Sequence, residues 1–158
     1  MRIRVKGHKI IAWMGLAMMV STRLWIAGVV QPTRDRRLAD PLLEQVRRCA
    51  ACLRPLLVLT DGWNAYPNSI RRAFREKVKL SSGVGRACLQ IWPHLHIGTV
   101  IKLRSKKRVV EITRRMAHGL QSQAEQLLQR SRGGTVLNTS FIERLNGTCA
   151  RTAGELDA

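Results

Sequence analysis

The chain has 158 residues, enough for one domain with its own core and no need of disulfide or metal staples. A hydrophobic fraction of 45% excludes disorder throughout. Twenty-eight lysines and arginines against ten acidic residues give a net charge of +18, which points to a polyanionic partner, nucleic acid first; an arginine-biased genome is the ordinary explanation for part of that excess.

In chain order, residues 1–9 are basic and residues 10–20 apolar, the outline of a secretory signal. That apolar run is too short to span a bilayer, and Arg23 interrupts it before residues 24–30 resume. A hairpin of two strands, 8–20 and 23–30, turning at Ser21 and Thr22, accounts for the same pattern. Residues 32–35 carry helix-start chemistry. Leu38, Leu42, Leu43, Val46 and Cys49 then recur at helical spacing over 36–52, with Arg47 and Arg48 on the outer face and Pro55 as the stop. Residues 56–60 are a continuous apolar run, which suits a strand covered on both faces in a parallel sheet. A helix is expected from Asn68 or Ser69 through Val78, with Arg71, Arg72, Arg75 and Lys77 outward. Residues 81–86 read as a loop. Residues 96–104 and 107–114 alternate as a second hairpin with Ser105, Lys106 and Lys107 at its tip. Two helices close the pattern, 117–130 ended by Gly133 and Gly134, and 138–150; after Cys149 the apolar pattern fades into a frayed tail, 151–158. The order predicts one mixed α/β domain over residues 1–150 with a central sheet.

The four cysteines are Cys49 and Cys52 in a Cys-Ala-Ala-Cys pair, and Cys88 and Cys149 alone. Zinc would want a second close pair or histidines at ligand spacing, so buried or incidental thiols in a reducing cytoplasm are expected. Asp61 is the sharpest candidate for chemistry. It sits at the C-terminal end of a buried strand, where α/β folds place ligands, and Gly62 lets the backbone turn away. On spacing alone, an Asp-Gly turn or capping of the next helix explains Asp61 slightly better. Glu143 is explained alone by a Ser140-x-x-Glu143 capping box.

Together the two acidic motifs weigh differently. Thr22-Arg23-Leu24-Trp25, then Arg34-Asp35-Arg36, then Val58-Leu59-Thr60-Asp61-Gly62 with Tyr66, then Trp92-Pro93-His94-Leu95-His96-Ile97-Gly98, and last Leu137-Asn138-Thr139-Ser140-Phe141-Ile142-Glu143-Arg144-Leu145-Asn146 stand in one order. Over about residues 10–146 this resembles the DDE-type transposases of bacterial insertion sequences, the last block being the most specific. The resemblance implies a ribonuclease H-like fold: a mixed sheet flanked by helices, with an inserted β-hairpin. It implies DNA transposition by metal-dependent strand cleavage and transfer. Three carboxylates hold two divalent ions, magnesium (or manganese); one ion activates the attacking water or 3′-hydroxyl and the other stabilises the departing oxygen. Asp61 and Glu143 match the second and third carboxylates, as catalytic and metal-binding residues, with a separation of 143 − 61 = 82 positions.

The first position is different. Counted back from Thr22-Arg23-Leu24-Trp25, the family's Asp falls at Met19, a soft thioether that cannot bridge magnesium ions. The chain also starts close to the first strand, without the family's DNA-end-binding region, and departs from its pattern after Asn146. A truncated copy with impaired cleavage is therefore expected. Its expected partner is DNA, its compartment the cytoplasm, with homo-oligomers possible and no membrane. The alternative is a basic, non-catalytic nucleic-acid-binding protein. For either, the expected DNA contacts are Arg71, Arg72, Arg75, Lys102, Lys106, Lys107 and Arg108, with Arg104, Arg114 and Arg115 beside them. A third reading, a secreted or membrane-anchored protein, rests on the N-terminal pattern alone.

Overall fold

The computed structural model describes residues 2–4, 11–79, 86–106 and 108–155. Short β1 (Arg2–Arg4) pairs with β2 (Ile11–Met18), which also pairs antiparallel with β3 (Trp25–Gln31), from Trp13↔Gln31 to Met18↔Trp25. The expected first hairpin is thus present, and its turn is closed by the Met19 N–H donating to the Leu24 carbonyl at 2.8 Å.

Helix α1 (Arg36–Arg48) starts where the side chain of Asp35 accepts from the Arg37 N–H at 2.8 Å, while the Thr33 hydroxyl donates to Asp35 at 2.9 Å. An Asp at this position satisfies an otherwise orphaned N–H and suits the positive helix end; Arg47 and Arg48 suit the negative end. Its buried stripe, Leu38, Ala39, Leu42 and Leu43, faces two ways. Leu38 and Leu42 lie against Gly15 of β2, where an added Cβ would stand 3.1 Å from the Leu42 side chain. Leu43 enters the core built on the next sheet.

That sheet is β4 (Leu56–Asp61), β7 (Leu95–Ser105) and β8 (Arg108–His118), in the order β4-β7-β8. β4 and β7 are parallel, from Leu56↔Leu95 to Asp61↔Val100; β7 and β8 are antiparallel. Alternation along the strands divides two apolar clusters between its faces. On one face Leu56, Val58, Leu95 and Ile97 pack with Leu43, Ile70, Phe74 and Trp92. On the other, Leu57, Leu59 and Val100 pack with Ala124 and Leu128 of α3 (Gln121–Arg130) and with Leu137. The last helix, α4 (Ser140–Glu155), contacts β2, and the Arg23 guanidinium stacks 3.4 Å above its Phe141 ring. The protein is a mixed α/β fold in which, among the described residues, four helices flank a mixed sheet.

Three expectations change. The helix expected through Val78 is α2 (Ala65–Ala73), and the chain then turns into β5 (Arg75–Val78), which pairs with β6 (Cys88–Ile91). Phe74 forces the break: it is fully buried, its ring meets Trp92 edge-on at 5.0 Å, and its carbonyl accepts from the Trp92 N–H. The second hairpin is not an insertion. β7 is the central strand of its sheet, and the segment interposed before it is the small β5–β6 pair. The last helix runs to Glu155, past Ala150 where the apolar pattern fades. The expected loop at 81–85, the basic start at 5–9 and the end of the tail at 156–158 lie outside the described residues. All four cysteines are free, and none is buried.

Candidate functional site

Asp61 ends β4, and its register partner on β7 is Val100. Its carboxylate accepts from the Trp63 N–H at 3.1 Å through Oδ1 and from Arg34 at 3.3 Å through Oδ2. The first bond is the Asp turn that the sequence already allowed. The second was not legible, because Arg34 lies 27 positions away, in the turn after β3. Arg34 is held between two indoles, 5.3 Å from the Trp13 ring and 4.9 Å from the Trp63 ring, both within cation–π range. Trp63 in turn meets Tyr66 edge-on at 4.9 Å. Burial, aided by the Asp61 charge and opposed by Arg34, pushes the Tyr66 hydroxyl up to about 12.

Glu143 lies in the first turn of α4. The expected capping box with Ser140 is not made. The Ser140 hydroxyl donates to Asn138 Oδ1 at 2.7 Å, and Glu143 accepts from the Thr139 hydroxyl at 2.6 Å. Asn138 holds the approach to the helix by donating to the Gly133 and Val136 carbonyls. Lys102 Nζ donates to both Glu143 oxygens, at 2.6 and 2.7 Å. Partial burial disfavours the Glu143 charge, but the Lys102 and Thr139 hydrogen bonds, with the Lys102 and Arg104 charges, outweigh it and hold the carboxyl below its ordinary value.

Lys102 stands two residues beyond Val100, so it projects from the same face of β7 as Asp61 does from β4. Asp61 and Glu143 therefore share one face and one end of the β4–β7 pair, across 82 positions of sequence (143 − 61). Met19 lies one residue past β2, in the turn whose Arg23 stacks on Phe141 of α4, whereas Arg34 and Asp61 gather by Trp13, about 20 Å back along a strand that rises ~3.3 Å per residue.

The donor set does not fit a two-ion site. Asp61 and Glu143 offer the hard oxygens that magnesium prefers, yet each already carries a basic side chain. Among the described residues no group of three or more His, Cys, Asp and Glu side chains could hold a metal ion.

The expected DNA contacts also divide. Arg71 donates to the Ala117 carbonyl, Arg72 to Asp40 and Ser69 at 2.8 Å each, and Arg75 to the Arg72 carbonyl at 3.2 Å. These residues, two on α2 and Arg75 at the start of β5, are half-buried and hydrogen-bonded within the fold, not the outward cations expected. Lys102 is likewise engaged with Glu143. Lys106 and Arg108 are exposed at the β7–β8 tip with Arg104 beside them, and Lys107 lies outside the described residues. The residues that sequence reasoning missed are Arg34, Trp13, Trp63 and Thr139. Arg34 and Thr139 stand inside the quoted motifs and Trp63 follows one, but Trp13 carried no signal, since the contacts are tertiary.

No helix among the described residues is long and apolar enough to cross a membrane. Compared with known protein families, curated proteins and solved structures, the chain matches none.

Proposed function

We propose that this chain is a DNA-binding domain of DDE-transposase descent, with a ribonuclease H-like ancestry for its sheet and with strand cleavage impaired. The observation that carries the reading is the shared position of Asp61 and Glu143 at one end and one face of the β4–β7 pair. Two blocks that resemble the family's second and third acidic motifs meet there, where α/β folds place their chemistry.

Binding without cutting follows from the charges. The family's magnesium or manganese would need carboxylates open to it, and here Arg34 and Lys102 already neutralise them. The net charge of +18 supplies long-range attraction for DNA, and the exposed Arg104, Lys106 and Arg108 supply phosphate contacts on a projecting hairpin. A general nucleic-acid-binding protein of other descent is the second reading, favoured by that same hairpin tip.

Binding of a labelled DNA duplex across salt concentrations, paired with a strand-cleavage assay in magnesium or manganese, tests the proposal. Three phosphate contacts would weaken affinity by about 40-fold between ~50 and ~200 mM salt. Absence of binding at low salt overturns both readings, and robust cleavage by the unaltered chain overturns impairment. Equal affinity for single-stranded RNA of any sequence favours the second.

A further inference from the structure

Among the described residues β8 is an edge strand, paired only with β7 in the β4-β7-β8 sheet, and residues 108–115 are exposed throughout. Apolar side chains stand in water along it: Val110 is 65% exposed and Val109 45%. An open edge of this length presents unpaired backbone donors and acceptors that a further strand can satisfy. Two register shifts, which leave Val110 and Ala117 without partners on β7, confine the regular part of β8 to residues 111–116.

We propose that this edge pairs antiparallel with the β8 edge of a second copy of the chain, about a two-fold axis at Thr113. A two-fold perpendicular to the sheet brings residues of the same face opposite each other, so the possible centres can be weighed one by one. A centre at Glu111 sets like charges opposite, as does one at Arg114. A centre at Ile112 leaves Glu111 opposite Thr113. The centre at Thr113 places Glu111 opposite Arg115 twice, by symmetry, inside the regular segment. Thr113 is also the midpoint of Arg108–His118, so the strands overlap along their whole length. Glu111, Thr113 and Arg115 form one row on one face, and the Thr113 hydroxyl reaches Glu111 at 3.4 Å within the strand. Arg114, on the other face, is drawn inward by donating to the Leu137 carbonyl at 2.8 Å, which removes its charge from the seam. Opposite charges directly across a strand pair stabilise it and like charges oppose it.

The test is the association constant by sedimentation at ~0.15 M salt, where a Debye length of about 8 Å screens the repulsion between two +18 copies more than pairs in contact. The unaltered chain self-associates. Glu111→Arg or Arg115→Glu alone weakens association about tenfold, since each puts two like-charge pairs across the seam, and the double reversal restores it. Independently, Thr113→Cys in the otherwise unaltered chain crosslinks on oxidation, while Val109→Cys, which would face Ala117, adds no crosslink over the background of the four native cysteines. A monomeric unaltered chain, or charge reversals that leave association unchanged, would overturn the proposal. So would a double reversal that fails to restore it, or association that needs added oligonucleotide.

Discussion

Lys102 and Glu143 form a two-pronged ion pair, with Nζ 2.6 and 2.7 Å from the two carboxylate oxygens, and through it β7 is tied to the first turn of α4. The pair holds the Glu143 carboxyl below its ordinary value of 4.5. The folded value lies below the unfolded one, so the stabilisation is complete above about pH 4.5 and is lost as pH falls through the folded value. Glu143 is 41% exposed, which limits the contribution to under about 1 kcal/mol. Carboxyl-carbon NMR titration is expected to show the Glu143 midpoint rising in Lys102→Met; an unchanged midpoint would remove Lys102 as its counter-charge.

Freeing both carboxylates tests the metal argument. Arg34→Ala with Lys102→Ala should raise manganese affinity at least about tenfold over the unaltered chain, read by the spin-resonance signal of free Mn²⁺, because two hard anions lose their internal cations. Equal affinity would mean that Asp61 and Glu143 are too far apart to share an ion.

Basic residues should separate into two groups. Lys106→Ala with Arg108→Ala is expected to reduce the salt slope of DNA binding by about 2 and leave stability unchanged, since both side chains are exposed at the hairpin tip. Arg72→Ala should do the opposite, costing about 0.5–1 kcal/mol in urea unfolding through loss of its Asp40 partner, with the slope intact. A slope change from Arg72 and none from the tip would assign the DNA surface to α2 instead.

Gly119 has φ +81° and no room for a side chain, because an added Cβ would overlap the His96 imidazole at Nδ1. Gly119→Ala is therefore expected to destabilise the fold by about 2 kcal/mol or more, through backbone strain and displacement of a buried ring. Thermal unfolding gives the readout, and a neutral result would show that β8 can shift at its end.

His96 is 4% exposed, and its Nδ1 has no hydrogen-bond partner. Burial, then the neighbouring His118 and His94 charges, lowers its proton affinity below the ordinary 6.5. The unfolded chain thus takes up a proton that the folded ring refuses. Its contribution is complete above about pH 6.5 and is lost as pH falls toward the folded value. Unfolding free energies between pH 7.5 and 5.5 should fall in the unaltered chain and fall less in His96→Gln; equal slopes would take His96 out of the pH response.

Much of the fold was legible in the sequence because it is local. Apolar runs with turn residues between them announced β2, β3, β4, β7 and β8, and the leucine spacing with Asp35 before it announced α1. The break after Ala73 was not legible. The Arg75–Val78 stretch continues a helical pattern, and only the burial of Phe74 against Trp92 turns the chain into a strand. Tertiary packing outweighs a propensity difference of a few tenths of a kcal/mol per residue.

The sequence by itself determined the net charge, the two acidic motifs and the strand whose end carries Asp61. Only the tertiary structure decided what surrounds them. Arg34 reaches Asp61 across 27 positions, Lys102 reaches Glu143 across 41, and Arg23 of the β2–β3 turn stacks on Phe141 of α4. Such contacts depend on which strands become neighbours and in what register, and no local spacing encodes that.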